Sequence, residues 1–193
     1  MVYFICAFEA EARALIEYYK LQKDPNPPCT LFSNEEMIIL ISGMGQDNAK
    51  KATEYLLLKY PHSDDDILIN LGICAAQNKF LVGGLLQVQS LWSGSESFKL
   101  KVVDSTLQKV SCFSSEEVLT QVLDTDIAEM EAISIYKAAS ASFSPSKISI
   151  LKVVSDHFKP FKIKKQFIID LIKPHVKEIE THIQQIQGET DVR

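Results

Sequence analysis

Arginine is scarce in this chain, cysteines with a paired spacing are absent, and no apolar run is long enough to span a membrane. Arg13 and Arg193 are the only two arginines, which disfavours a site that clamps phosphate with guanidinium groups. The four cysteines have no CxxC spacing, and Cys6 and Cys74 fall in apolar runs where buried free thiols are expected. We expect a reduced, cytoplasmic protein with no membrane segment and no bound metal.

The overall composition is that of an ordinary globular protein. With 46% hydrophobic and 23% charged residues, a chain of 193 residues is long enough to bury a core without disulfides or metal. A net charge of −5 disfavours nucleic acid as a partner. The first residues turn acidic at Glu9 and carry no basic leader, so we expect no signal peptide. Because neither a linker nor a repeat is visible, we expect a single domain over residues 1–193.

Apolar runs of strand length alternate with amphipathic stretches along the chain. The patterns predict strands at 2–8, 37–42, 66–72, 85–92, 100–103, 108–113, 126–128 and 147–154. They predict helices at 9–20, 47–60, 115–123, 130–139 and 163–187, the last one kinked or split by Pro174. This alternation indicates an α/β fold with three layers, α/β/α, around a mixed, largely parallel twisted sheet.

Four short segments follow strands of this predicted sheet, and each has residue types suited to a ligand site. They are Glu9 with Glu11, Gly43-Met44-Gly45, the turn at residues 73–76, and Ser155-Asp156. In open α/β sheets ligands bind beyond the carboxyl ends of the strands. The sequence therefore predicts one pocket at that rim.

Each acid at this rim has a structural and a functional interpretation. Glu11 opens a helix, where it complements the helix dipole or acts as a general base or acid. Asp156 follows a strand, where it caps a turn or, if burial raises its pKa, donates a proton; Ser155 would orient it.

The stretch Glu129-Met130-Glu131 begins a predicted helix. Its acids either complement the helix N-terminus or, in the case of Glu131, accept hydrogen bonds from two neighbouring hydroxyls. Met130 is either a core residue or an apolar surface against a sugar.

Five motifs, in order along the chain, resemble one superfamily. They are CAFEAEARALI, ISGMGQDNA, INLGICAA, AEMEAISIYKAA and LKVVSDHF. The chain resembles the nucleoside phosphorylases and nucleosidases, and most of all the methylthioadenosine/S-adenosylhomocysteine nucleosidases and futalosine hydrolases. The resemblance implies a homodimer that acts on a small purine nucleoside without a cofactor.

The resemblance also implies roles for individual residues. Glu11 would activate water, Asp156 held by Ser155 would protonate the purine, and Glu131, Met130 and the adjacent Glu129 would bind the ribose. Because Arg13 lies inside the first predicted helix and Arg193 is the terminal residue, neither is well placed to bind phosphate, and hydrolysis is favoured over phosphorolysis. A phosphorylase and a non-catalytic nucleoside-binding relative remain the alternatives.

This sequence departs from the superfamily pattern around the expected base site. The third turn, with Cys74 and Ala75, is more apolar than usual, the acid usual after it is missing at 82–85, and the segment 92–126 is shorter. Phe113 is the best candidate for an aromatic that stacks on the base, although a core position is equally compatible. His157 and the lysines at 159, 162, 164 and 165 are expected to face solvent, the lysines alternatively forming an anion-binding patch.

Overall fold

The computed structural model describes residues 1–25, 29–103, 106–121, 124–159 and 163–188. These residues form ten strands, which are β1 (Val2–Cys6), β2 (Gln22–Lys23), β3 (Thr30–Ser33), β4 (Met37–Ile41), β5 (Ile67–Ala76), β6 (Leu85–Ser93), β7 (Glu96–Lys99), β8 (Gln108–Ser114), β9 (Ile127–Glu129) and β10 (Ile148–Asp156).

They also form five α-helices, which are α1 (Glu9–Tyr18), α2 (Gln46–Lys59), α3 (Ala132–Ala139), α4 (Lys165–Ile172) and α5 (Val176–Gly188). A short 3-10 turn over Lys173–His175 separates α4 from α5. Pro174 lies in this turn and has no backbone N–H to continue the helix, so the predicted split is confirmed. None of the helices in the described ranges is long and apolar enough to cross a membrane.

One mixed sheet runs through the molecule in the order β10-β6-β8-β9-β5-β1-β4-β3-β2, with β7 paired to β6. The central pairs β1–β4, β1–β5 and β5–β10 are parallel. Because β10 pairs with both β5 and β6, the strands β5, β10, β6, β8 and β9 close into a ring at one end of the sheet.

Helices cover both faces of the sheet, as the sequence predicts. One apolar cluster joins the sheet to α2 and α3, and it includes Leu56 and Ile133. The other cluster joins the opposite face to α1, α4 and α5, and it includes Leu15, Ile172 and Ile179. The strands β1 and β10 are buried along nearly their whole length because they lie inside the sheet between these two clusters.

Three predicted elements differ from the structure. The residues 73–76, expected to form a turn, continue β5 because their backbone pairs with β10 and β9. The strand expected at 100–103 is absent, and β7 lies just before it as a hairpin partner of β6. The helix expected at 115–123 is absent over 115–121, and residues 122–123 lie outside the described residues.

Residues 115–121 do not form a helix because other hydrogen bonds use their polar groups. The N–H of Ser115 donates to the Glu129 carbonyl at 2.7 Å, and the Ser115 hydroxyl accepts the N–H of Glu117 at 3.1 Å. Serine offers the backbone such alternatives to helical hydrogen bonds. The helical pattern of the sequence is therefore overridden by contacts with β9.

Candidate active site

A cavity of about 770 Å³ opens where β1, β5, β9 and β10 end. This volume suits a nucleoside-sized ligand. Eight of the nine residues predicted for the site line its wall, namely Glu11, Cys74, Ala75, Glu129, Met130, Glu131, Ser155 and Asp156. The strand ends therefore bring together side chains that are up to 145 positions apart in the sequence, from Glu11 to Asp156.

Glu11 is fixed in position by two backbone N–H groups. Its Oε2 accepts the N–H of Phe8 and its Oε1 accepts the N–H of Ile73 in β5, each at 2.9 Å. Only 2% of Glu11 is exposed. This burial raises the pKa of its carboxyl to about 7, because desolvation outweighs the two backbone hydrogen bonds, which lower the pKa. A carboxyl with a pKa near neutrality can exchange a proton at physiological pH.

Glu129 and Lys152 form an ion pair inside the ring of strands. The Nζ of Lys152 lies 2.8 Å from Oε2 of Glu129, and both side chains are 1% exposed. Burial alone lowers the pKa of Lys152, but the negative charges of Glu129 and Glu131 outweigh it and raise that pKa above its ordinary value. The ammonium is thus held charged beside the cavity.

The remaining acceptor positions of Glu129 are used by the protein itself. Its carboxylate accepts the hydroxyl of Ser114 at 2.6 Å and the N–H groups of Glu131 and Ala132 at the start of α3, at 2.9 to 3.1 Å. Glu129, which the sequence predicts to bind substrate, lines the cavity wall, and its carboxylate also anchors α3 and pairs with Lys152.

Met130 and Glu131 face the cavity from the two positions just before α3. The Oε1 of Glu131 accepts the N–H of Gly45 at 2.8 Å, which joins the glycine turn after β4 to α3. Gly45 has φ of 96°, a conformation that glycine adopts without strain. Burial and the charge of Glu129 raise the pKa of Glu131. A carboxylate has four acceptor positions, so Glu131 retains capacity for a ligand.

Asp156 ends β10 and is half-buried. Its Oδ2 accepts the hydroxyl of Ser155 at 2.9 Å, and its Oδ1 accepts the N–H of Lys159 at 3.1 Å. The Ser155 hydroxyl also lies 3.0 Å from the carbonyl oxygen of Cys74. Ser155 therefore links the ends of β5 and β10 and contacts the carboxylate of Asp156.

The sequence matches no protein-family model and no curated protein. Solved structures do match over nearly the whole chain. The 5'-methylthioadenosine/S-adenosylhomocysteine nucleosidase of Campylobacter jejuni aligns with a TM-score of 0.75 at 15% identity, over 97% of this chain and 99% of that one.

Two further nucleosidases give the same result. The apo 5'-methylthioadenosine nucleosidase of Arabidopsis thaliana aligns with a TM-score of 0.77 at 15% identity, over 98% of this chain and 96% of its own. The Helicobacter pylori enzyme, solved with butyl-thio-DADMe-Immucillin-A, aligns with a TM-score of 0.76 at 12% identity, over 95% of this chain and 97% of its own. The chain has the nucleosidase fold. At these identities the likeness establishes the fold alone.

One predicted site residue is not on the wall of the nucleosidase-fold cavity. Phe113 lies in β8 opposite Trp92 of β6, and the two ring centroids are 4.3 Å apart. The prediction that Phe113 stacks on a bound base is therefore not supported. Where an aromatic was expected, the 115–121 segment brings Ser115, Val118 and Leu119 to the wall.

The position of Arg13 also differs from the sequence analysis. Arg13 was judged badly placed for the site, but it lines the cavity, where it is paired with Glu9 one turn earlier in α1. Arg193 and Lys162 lie outside the described residues. His157 turns its Nδ1 to the carbonyl oxygen of Ala76 at 3.1 Å, and of the lysines predicted nearby Lys165 lines the wall.

Lys152 is a site residue that the sequence-based predictions do not include, although the sequence holds a signal for it. A lysine inside the apolar run KISILKVV would be buried on both faces of a central strand, where an ammonium needs a carboxylate partner. Gly72 is a second such residue, and its only signal is that it is an isolated glycine inside the apolar run of β5. A Cβ at Gly72 would lie 2.9 Å from Oε1 of Glu11 and 3.4 Å from Nζ of Lys152, so only glycine leaves room for these groups.

Proposed function

We propose that the protein is a purine nucleosidase, which hydrolyses the N-glycosidic bond of a 5'-modified purine nucleoside. The observation that carries this proposal is that Glu11, Glu131 and Asp156 line one cavity of nucleoside size. The five sequence motifs and the nucleosidase fold support it. Each of the three acids has a separate task in this reaction.

Glu11 is the group that activates water. Its two backbone hydrogen bonds hold the carboxylate in one orientation, and its raised pKa makes it a base near neutral pH. Glu131 accepts the two ribose hydroxyls, with Met130 packed against the sugar. Positive charge develops on the ribose as the bond to the base breaks, and it is stabilised by the carboxylates of the cavity, which outnumber the cations Arg13, Lys152 and Lys165.

Asp156 acts on the leaving base. This carboxyl lines the cavity wall and donates a proton to a ring nitrogen of the purine, which lets the base leave as a neutral molecule. Ser155 fixes the carboxyl toward the cavity throughout.

A substrate panel tests the proposal. The purified protein is incubated with methylthioadenosine, adenosylhomocysteine, futalosine, inosine and adenosine, with and without phosphate, and the released base is measured. Base release without phosphate is expected for at least one member. If base is released only when phosphate is present, the protein is a phosphorylase rather than a nucleosidase. If a nucleoside binds but no base is released, the protein is a non-catalytic nucleoside-binding protein. The homodimer and the cytoplasmic location stay predictions.

The pH dependence of the reaction follows from Glu11. Because its pKa is raised to about 7, the carboxyl is largely protonated below that pH and becomes the required base above it. We expect kcat/KM to rise with pH through an apparent pKa of about 7. The Glu11→Gln variant should lose most of the activity, and its kcat/KM should no longer rise with pH in this range. A wild-type profile that is flat from pH 6 to 8 would contradict the role of Glu11.

The Gly72→Ala variant should lose activity without losing its fold. The added methyl group would overlap Oε1 of Glu11 and displace the carboxylate from its two N–H donors. A displacement of this size costs roughly 10²-fold in rate. The measurements are kcat/KM and the melting temperature, with Gly188→Ala as the control because nothing lies within 4 Å of a Cβ at that position. Equal activities of the two variants would contradict the prediction.

A further inference from the structure

Strand β10 contains an extra residue immediately before Asp156. In the parallel pairing with β5, Val154 lies opposite Cys74. Asp156 lies opposite Ala75, the next residue of β5, so Ser155 is left over and forms a β-bulge. A bulge bends its strand and changes the direction of the side chains beside it, and bulges are common next to active sites. The direction of the Asp156 carboxyl therefore depends on how firmly this bulge is held.

A tight turn over residues 81–84 holds β10 just before the bulge. The N–H of Gly84 donates to the Leu81 carbonyl at 3.0 Å, and Gly83 has φ of 88°, which are the features of a type II turn. The N–H of Gly83 donates to the Val154 carbonyl at 2.8 Å, and the N–H of Val154 donates to the Gly84 carbonyl at 3.0 Å. Both backbone groups of the last residue before the bulge are therefore fixed by this turn.

His175 holds the 81–84 turn from its other side. This histidine lies in the 3-10 turn between α4 and α5, and its Nε2 is 2.6 Å from the carbonyl oxygen of Gly83. A carbonyl oxygen only accepts, so Nε2 carries the hydrogen of this bond. On the opposite edge of the ring, Nδ1 lies 2.9 Å from Oε2 of Glu178, and the protonated ring donates to both oxygens. The side chain of His175 is 18% exposed, so water has little access to its bond with Gly83.

We infer that His175 is a positioning residue for Asp156. Its hydrogen bond to Gly83 keeps the 81–84 turn against β10, and the turn in turn fixes Val154. The fixed strand then sets the bulge that directs Asp156 to the cavity. His175 does not line the cavity, so it acts through this backbone alone.

This inference rests on the proposed function, in which Asp156 gives a proton to the leaving base. Proton transfer requires the carboxyl to lie within hydrogen-bond reach of the ring nitrogen. A misplacement of about 1 Å can cost about 10²-fold in rate, even when its cause lies far from the reacting atoms. A histidine outside the cavity can therefore influence the rate of bond cleavage.

Two substitutions at His175 separate its hydrogen bond from its bulk. His175→Leu removes the donor, and we expect it to lower kcat by about tenfold, the upper range for one lost hydrogen bond, with KM unchanged. His175→Gln has an amide N–H that reaches the Gly83 carbonyl, so it should restore most of kcat. Lys173→Gln is the matched control, since Lys173 is an exposed residue of the same 3-10 turn. Melting temperatures show which variants fold, and His175→Asn, whose amide is too short to reach Gly83, replaces His175→Leu if that variant does not.

A double-mutant cycle connects His175 to Asp156. If the histidine acts through the position of the Asp156 carboxyl, it has little to influence once that carboxyl is an amide. Adding His175→Leu to Asp156→Asn should therefore lower kcat by less than about twofold. A merely structural role of the turn would instead lower kcat by the same factor in the wild type and in Asp156→Asn.

The possible outcomes separate this inference from the proposed function. Equal kcat values for His175→Leu and Lys173→Gln, or a loss that His175→Gln does not restore, would overturn the inference and leave the nucleosidase in place. Equal losses in the two backgrounds of the cycle, or a rise in KM without a fall in kcat, would also overturn it. If the wild type releases no base from any nucleoside of the panel, the proposed function is wrong, and the role of His175 is wrong with it.

Discussion

Replacing Asp156 with asparagine is expected to lower kcat by about 10²- to 10⁴-fold, the usual contribution of a general acid, with little change in KM. Asparagine has the same shape as aspartate but no acidic proton to give to the leaving base. Its side-chain oxygen can still accept the hydroxyl of Ser155 or the N–H of Lys159. Because Asp156 is half-buried at a strand end, the melting temperature should stay near that of the wild type.

The Glu131→Gln variant is the matched comparison for Asp156→Asn. It removes a charge from the sugar side of the same cavity, so it should raise KM, by roughly tenfold for the loss of hydrogen bonds to a charged group. Steady-state kinetics on the best substrate of the panel separates the two effects. Equal and mild effects on kcat and KM in both variants would contradict the assigned roles.

Replacing Lys152 with methionine is expected to destabilise the protein by about 3–5 kcal/mol, the usual cost of removing one partner from a buried ion pair. Methionine fills the volume of the lysine stem but leaves the carboxylate of Glu129 buried without its cation. The same carboxylate accepts the backbone N–H groups of Glu131 and Ala132 at the start of α3. A shift of this carboxylate would therefore also displace Glu131. Denaturant unfolding measures the change.

The chain supplies a control for this prediction. Lys137 pairs with Glu96 at 2.7 Å, but these side chains are 47% and 50% exposed. Surface pairs contribute roughly 0–1 kcal/mol, so Lys137→Met should be nearly neutral. If Lys152→Met and Lys137→Met unfold at the same denaturant concentration, the buried pair has no special role in stability.

The Lys152→Met variant also has a kinetic consequence. The charge of Lys152 lowers the pKa of Glu11, so its removal should move the limb of the pH–rate profile to higher pH. This shift can be measured in whatever fraction of the variant folds. It distinguishes an electrostatic influence on Glu11 from a loss of structure alone, since the latter lowers the amount of active protein without moving the limb.

Much of the fold could be predicted from the sequence because the central strands are buried on both faces. β1, β4 and β10 appear as continuous apolar runs, and the period of Ile179, Ile183 and Ile186 indicates the buried face of α5. The edge elements were predicted less well. β3 was missed and β7 was displaced, because short exposed strands obtain their structure from their partners rather than from their own pattern.

The candidate site divides in the same way. Glu11, Glu131 and Asp156 were identifiable because each follows or precedes a strongly patterned element. Of the two positions that the sequence leaves open for Phe113, the structure shows the one against Trp92, because the direction of this side chain depends on the register of β8 against β6 and a shift of one residue moves a side chain to the other face. The helix predicted at 115–123 failed because contacts of Ser115 with β9 outweigh local propensity.

By itself, the sequence determined the layered α/β architecture and the order of the motifs that carry the three acids, since these depend on local patterns of hydrophobicity and on residue type. Only the tertiary structure decided that Glu129 is committed to Lys152 and α3, that Gly72 makes room for Glu11, and that Arg13 and Lys165 share a wall. These are contacts between residues distant in sequence, and their chemistry depends on burial and distance.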